Sequence, residues 1–287
     1  MTTILVCNPQ HYSIDYEINP WMSIRNPADR DLAISQWHGL IALLKRIEVN
    51  VVEMQGQPGL PDMVFTANAG LVFQNKKVVL SNFKYPQRRP ERKFYKEWFE
   101  ANGYEIIETF TPEFHFEGAG DALFREQSNE QHFDNKLYFG YGFRSDYDAV
   151  THKHWGDIWR EHTQYLQLID PYFYHLDTCF CPLKDNFALI WPGAFREDTI
   201  DSIECWQSAF KDYDGGGSGL ELLKVPEEDA RKFACNAVAI GNKVIIPSGC
   251  DTTKRLLLSV GFEVFDTDMS EFIKAGGACK CLTLRLE

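Results

Sequence analysis

The sequence predicts an α/β fold assembled from repeated units, and three observations point to it. Two short apolar runs around a polar turn recur along the chain; helix-like stretches with apolar positions near the 3.6 period separate them; strand-like runs follow several of those helices. The unit recurs about five times. Five such units can close into a ring with pseudo-fivefold symmetry, in which every unit turns residues toward one central pocket. An ordinary mixed sheet fits the same periodicity.

In chain order, a helix is expected over 35–47, leading into the strand-like Val49–Met54. Ala69–Phe73, the polar turn Gln74–Lys77 and Val78–Leu80 form the clearest hairpin. A helix over 91–102 follows, with Gly103 suited to its C′ position before the strand-like Tyr104–Thr109. Asp121–Phe124 pairs with Leu137–Phe139 across a long polar turn, and the next helix is expected over 155–167. Thr178–Leu183 pairs with Phe187–Trp191 across Lys184–Asn186, ahead of a helix over 200–210. The glycine-rich Asp214–Gly219 lies between helix and strand inside one unit, so it reads as a surface loop and not a domain boundary. Ala237–Ile240, Gly241–Lys243 and Val244–Ile246 repeat the first hairpin, followed by a helix over 252–260 and the strand-like Phe262–Phe265.

Composition narrows the function. With 29 Lys and Arg against 41 Asp and Glu, a net charge of −12 repels nucleic acid and anionic membranes, and the densest basic run, Arg88–Lys93, contains Glu91. The first residues lack a basic and apolar leader, and no stretch of about 18 apolar residues occurs, so a cytoplasmic protein is expected. Eight cysteines are too sparse for a disulfide scaffold and are expected to stay reduced. The pairs Cys179/Cys181 and Cys279/Cys281 lack the accompanying cluster a zinc site needs, and neither a P-loop nor a G-x-G-x-x-G follows a strand. No metal and no nucleotide cofactor are expected.

Four segments carry candidate chemistry. Gly276 and Gly277 allow close backbone approach, and Cys281 just beyond them sits where a loop meets a short strand; a nucleophile and a buried structural thiol both fit. His175 and Asp177 stand two residues apart, which on a strand presents imidazole and carboxylate to one face. Glu117 and Asp121 flank two glycines, an arrangement that suits a guanidinium with its planar fork of donors, or else a solvated turn. Asn68 holds the same place ahead of the first hairpin.

In order, Phe65-Thr66-Ala67-Asn68, Phe116-Glu117-Gly118-Ala119-Gly120-Asp121, His175-Leu176-Asp177 and Gly276-Gly277 followed by Cys281 resemble the signature of the guanidine-modifying (amidinotransferase) superfamily. The resemblance spans the chain and is nearest to arginine dihydrolases, which also share Asn19-Pro20-Trp21-Met22 and Phe233–Val238. It implies a pentein fold, a five-bladed α/β propeller of ββαβ repeats, with 1–287 as a single catalytic domain and the active site on the axis. It further implies Cys281 as nucleophile, His175 as acid/base, Glu117 and Asp177 as carboxylates gripping the guanidinium, and Arg88 as a clamp for the substrate carboxylate. Asn19 and Asp121 are assigned to substrate binding.

One position departs from related deiminases and dimethylargininases, which carry an aspartate where this chain has Asn68. An amide both donates and accepts, so a urea can bind where a carboxylate would repel its oxygen. The expected reaction is therefore hydrolysis of arginine through citrulline to ornithine, carbon dioxide and two ammonia, a hydrolysis of C–N bonds in a linear amidine. Alternatives sharing the residues are a deiminase stopping at citrulline, an amidinotransferase or a dimethylargininase, and, from another class, a non-catalytic pentein binding protein. The expected partner is a small guanidine, with oligomeric state open.

Overall fold

The computed structural model describes residues 1–73, 76–107, 113–125, 137–151, 163–210 and 220–287, and places fifteen strands in five three-stranded sheets. Strands β1 (Thr3–Cys7) and β2 (Asn50–Met54) run parallel, joined by a helix over Arg30–Arg46. That helix begins five residues before the expected start, because the Asp29 carboxylate accepts from the Leu32 N–H and caps it. Its Ala33, Trp37, Leu40, Ile41 and Leu44 form one buried stripe.

The other units repeat one plan: an antiparallel hairpin, then a crossover to a strand parallel to the hairpin's second arm. In the second, β3 (Gly70–Phe73) pairs antiparallel with β4 (Lys77–Leu80), and a helix over Glu91–Ala101 leads to β5 (Glu105–Ile107). The third has β6 (Ala122–Phe124), β7 (Leu137–Tyr141) and β8 (Thr163–Gln167). The fourth has β9 (Phe180–Pro182), β10 (Phe187–Ile190), a helix over Glu197–Phe210 and β11 (Glu221–Lys224). The fifth has β12 (Val238–Ile240), β13 (Lys243–Pro247), a helix over Asp251–Ser259 and β14 (Glu263–Thr267). The first sheet obtains its antiparallel arm from the far end of the chain: β15 (Leu284–Arg285) pairs with β1, setting Leu284 opposite Leu5. Both ends of the sequence are thus tied into one sheet.

The four hairpins expected from sequence are present. The helix expected over 155–167 is corrected at its end: 163–167 is strand β8, in which Gln164 and Leu166 are buried between half-buried neighbours, the period of a strand and not of a helix. Residues 155–162 lie outside the described residues, as do Gln74 and Asn75 of the first turn, the last two residues of Tyr104–Thr109, most of the long turn before β7 and the loop Asp214–Gly219.

The core comprises three clusters of buried apolar side chains that run across unit boundaries: Leu5, Leu71, Val79, Phe139 and Leu284 belong to one of them. Leu5 is fully buried between β15 and β2. Leu5→Ala should lower stability by about 2–5 kcal/mol through lost burial and the cavity left behind, read as a lower urea midpoint at unchanged slope.

Candidate active site

Each antiparallel arm is preceded by a tight turn, and the turns converge. Thr66–Ala69 precedes β3, Gly118–Gly120 precedes β6 and Leu176–Thr178 precedes β9, while irregular turns ending at Asn236 and at Thr283 precede β12 and β15. The first of these packs on the second, and the second on the third. Gly118 makes this approach possible: its φ is +63°, and a Cβ there would lie 2.8 Å from the Ala67 oxygen and the Gly70 nitrogen. Asn68, Glu117, Asp121, His175, Asp177 and Cys281 all belong to this cluster of turns or its edges, and all are buried.

Cys281 is 3% exposed, with Sγ 3.4 and 3.7 Å from the two Asp177 carboxylate oxygens. The Asn236 amide Nδ2 donates to the same sulfur at 3.1 Å. Burial, reinforced by the Asp177 charge, pushes the thiol well above its ordinary range. Burial also pushes Asp177 up to about 6, against the pull of Lys280. The resting sulfur is therefore a thiol at neutral pH, and a new positive charge nearby would favour its ionisation.

His175 sits on the other side of the cluster, with Nε2 2.8 Å from Glu117 Oε2. Arg144 donates from Nη1 to that oxygen at 3.0 Å and from Nη2 to the Ile18 carbonyl at 3.0 Å, its guanidinium lying over the rings of Tyr85 and Tyr174. Burial works to raise the Glu117 carboxyl, but Arg144 and His175 together hold it far below its ordinary value. Burial takes His175 down to about 4, so the imidazole is neutral and donates Nε2–H to a charged Glu117. His175 caps a 3-10 turn and Asp177 lies within it, so the two do not lie on a strand and part company, one toward Glu117 and the other toward Cys281.

The remaining predicted residues occupy more defined places. Asp121 accepts from Ser145 Oγ at 2.6 Å and from Leu176 N–H at 3.0 Å, an internal brace between turns. Asn68 accepts on Oδ1 from Arg88 Nη1 at 2.8 Å and donates from Nδ2 to the Glu117 carbonyl at 3.1 Å. Arg88 makes a bidentate pair with Glu91 at 2.9 Å on both arms and also reaches the Asp62 carbonyl, so four of its five N–H groups are engaged. Asn19 accepts from the Trp21 and Met22 N–H groups and donates to the Ala275 carbonyl, fastening its loop over the site beside Gly276. Gly276 has φ +85°, and a Cβ there would meet Tyr174 Oη at 2.8 Å.

Cys281, Asn68, Arg88 and Asn19 line one small cavity together with Arg144 and Asp62. Sequence reasoning assigned no role to these last two, nor to Asn236. Arg144 engages two of its five N–H groups, and Asp62 Oδ1 is buried without a partner. Arg144 lies in no recognisable motif, and Asp62 heads the segment 62–70 that carries Asn68 without itself being marked; Asn236 does have a signal, since it stands ahead of its hairpin where Asn68 stands ahead of β3. Glu117 and Asp177 are one contact further in, behind Arg144 and Cys281. The arrangement offers a cation-binding floor, a thiol and a proton carrier. Among the described residues no cluster suits a metal ion, no helix is long and apolar enough to cross a membrane, and seven cysteines are free.

The chain matches, over residues 3–287, the family described as N,N dimethylarginine dimethylhydrolase, eukaryotic, and it belongs to that family. Its pseudo-fivefold sheets are those of the pentein superfamily, to which the sequence resemblance pointed. It is 44% identical over 285 residues to the bifunctional arginine dihydrolase/ornithine cyclodeaminase AgrE of Nostoc, covering 98% of this chain and 37% of the relative. It is 42% identical over 286 residues to the corresponding ArgZ of Synechocystis, covering 99% of this chain and 37% of ArgZ. The chain thus spans little more than a third of these relatives. Among solved structures, an asparagine-to-serine variant of the N-terminal domain of ArgZ carrying a covalently bound reaction intermediate superposes with a TM-score of 0.87 at 40% identity, covering 100% of this chain and 98% of that domain.

The buried pair predicts opposing pH effects on stability. His175, held near 4 against an ordinary 6.5, contributes stability that is present above pH 6.5 and is lost as pH falls through 4, on the order of 3 kcal/mol in full. Asp177, raised to about 6, contributes stability present below its ordinary pKa of about 4 and lost as pH rises through 6. Urea titrations at pH 7 and pH 4.5 should show His175→Gln with less acid destabilisation than the wild type and Asp177→Asn with more.

Proposed function

We propose that the chain hydrolyses arginine through citrulline to ornithine, carbon dioxide and two ammonia. The observation that carries this reading is Cys281, backed by Asp177 and sharing one cavity wall with an asparagine, Asn68, in place of a carboxylate. The names of AgrE and ArgZ support it, as does the covalent intermediate described for the latter. The catalytic residues would all lie within 1–287, which would act as a single catalytic domain without metal or organic cofactor. A thiol nucleophile and unpaired cysteines suit a reducing compartment, and we place the reaction in the cytoplasm.

In this reading Glu117 and Asp177, one contact behind the cavity wall, supply the negative charge that holds the substrate guanidinium beside Cys281, its carboxylate meets Arg144 and the remaining N–H of Arg88, and its ammonium satisfies Asp62 Oδ1. Asn19 holds the loop closed over it, and Asp121 fixes the turns beneath. The incoming cation offsets Asp177, and the thiol gives its proton to His175. The Cys281 thiolate attacks the guanidinium carbon, forming a C–S bond; His175 passes the proton to the departing nitrogen, the C–N bond breaks and ammonia leaves. Water, deprotonated by His175, attacks the thiouronium carbon, and the C–S bond breaks to return the thiolate and give citrulline. In a second cycle the thiolate attacks the urea carbon, ammonia leaves, and water releases a carbamate that loses carbon dioxide to give ornithine.

Asn68 makes the second cycle possible. With Oδ1 held by Arg88 and one Nδ2–H on the Glu117 carbonyl, the other Nδ2–H is left to donate to a urea oxygen. A dimethylargininase is the second reading, supported by the family description.

Purified protein incubated with arginine should release two ammonia per arginine and accumulate ornithine; one ammonia with citrulline would make it a deiminase, and turnover confined to dimethylarginine would establish the second reading. Cys281→Ser should lower kcat by at least about a thousandfold with the fold intact, while Cys279→Ser, altering a buried thiol outside the cavity, should stay within a few-fold of wild type. Asn68→Asp should shift the product toward citrulline, as chromatography of the reaction would show.

A further inference from the structure

We infer that Asn236 belongs to the catalytic apparatus: its carbonyl holds the turn that carries Cys281, and its amide donates a hydrogen bond to the reacting sulfur. The inference rests on Cys281 being the nucleophile of the reaction proposed above. Asn236 is fully buried, and its side chain uses all of its bonding capacity. Oδ1 accepts from the Ala278 N–H at 3.0 Å and from the Cys281 N–H at 3.1 Å. Nδ2 donates to the Asp177 carbonyl at 3.0 Å and to Cys281 Sγ at 3.1 Å.

This geometry fixes which end of the amide faces the sulfur. Two backbone N–H groups can only donate, so the atom they meet must be the oxygen, and the atom on Sγ must be the nitrogen. The Asp177 carboxylate beside the sulfur accepts a thiol proton and repels a thiolate. Against it, the Ala278 backbone, the Asn236 amide and the more distant Lys280 charge favour negative charge on Sγ, and Asn236 is the one of these that acts through a neutral side chain in direct contact with the sulfur. It also joins three of the converging turns, those of Asp177, of its own segment and of Cys281. Its own turn carries strain consistent with a specified geometry: Phe233, buried beneath the Trp21 ring, is held at φ +64°, in the left-handed region that non-glycine residues avoid.

Asn236→Asp keeps the turn that carries Cys281, because a carboxylate can still accept from Ala278 and Cys281, but it presents an oxygen to Sγ and to the Asp177 carbonyl where the amide now donates. With folding verified by circular dichroism, the variant should alkylate Cys281 with iodoacetamide only at a pH raised by one or more units, located by peptide mass spectrometry. Its kcat for arginine should fall on the order of a hundredfold while KM moves only a few-fold. In the wild type, the Asn236 side-chain amide protons should shift in the NMR spectrum as Cys281 ionises, a reading that requires no variant. A wild-type alkylation profile and kcat in folded Asn236→Asp, or amide protons that ignore the Cys281 titration, overturn the inference. A wild type inactive on arginine but showing the displaced profile in the variant overturns the functional reading and leaves the Asn236–Cys281 contact standing.

Discussion

The buried ion pair between Arg144 and Glu117 is the interaction on which the rest of the site depends. Both side chains are almost wholly out of water, and a carboxylate so placed stays charged only because a guanidinium meets it at 3.0 Å. That charge in turn keeps the imidazole of His175 in a defined orientation, since a neutral ring must donate Nε2–H to the Glu117 oxygen beside it. The same Arg144 reaches the Ile18 carbonyl and stacks between Tyr85 and Tyr174, so the loop bearing Asn19 is fastened through it. Removing Arg144 would strand a charge, release a loop and free an imidazole together. Removing a surface pair such as Lys93–Glu97, which is mostly exposed, would do next to nothing.

A second buried network sets the character of the opposite wall. Glu91 grips Arg88 on two arms, and burial raises Glu91 to about 7 even against that partner, so the pair is balanced closely between attraction and desolvation. What Arg88 has left over is directed at Asn68 Oδ1. An aspartate at 68 would accept the same bond from Arg88, but its other oxygen would then meet the Glu117 carbonyl, where Nδ2 now donates. The identity of residue 68 is therefore coupled to the turn that carries Glu117, and the amide is the choice that leaves no acceptor facing another acceptor.

Local patterns in the sequence were enough for the hairpins, because each pairs residues a few positions apart around a polar turn. The first sheet was not legible in the same way: its arm β15 meets β1 from the opposite end of the chain, and two paired residues at each place leave almost no periodicity to read. Strand β8 was mistaken for the end of a helix because five residues satisfy either period until their burial is known. The motif residues were legible where glycines or a paired acid marked a turn, as around Glu117 and Gly276. Arg144 and Asp62 carry no such mark; an arginine becomes significant only when its unspent N–H groups are found in a cavity wall, and an aspartate only when one oxygen is found buried and unpartnered. Asn236 lies between these cases, visible once the five turns are aligned with one another.

Charge conservation then distinguishes the two halves of the proposed reaction. The resting wall pairs a neutral thiol with Asp177, and burial opposes any increase in net negative charge there. Moving the thiol proton to His175 leaves the charge of the buried cluster unchanged, and arginine adds a positive charge that stabilises the thiolate so formed. Citrulline is neutral and brings no such compensation. In the second cycle the thiolate must be sustained by groups already present: the Ala278 backbone and the Asn236 amide at the sulfur, with Lys280 further off, while the Asn68 amide faces the urea oxygen. A site built only of carboxylates could activate its cysteine for a cation but not for a urea. Two neutral amides, each locked in one orientation by partners that can only donate or only accept, allow the same thiol to serve both substrates.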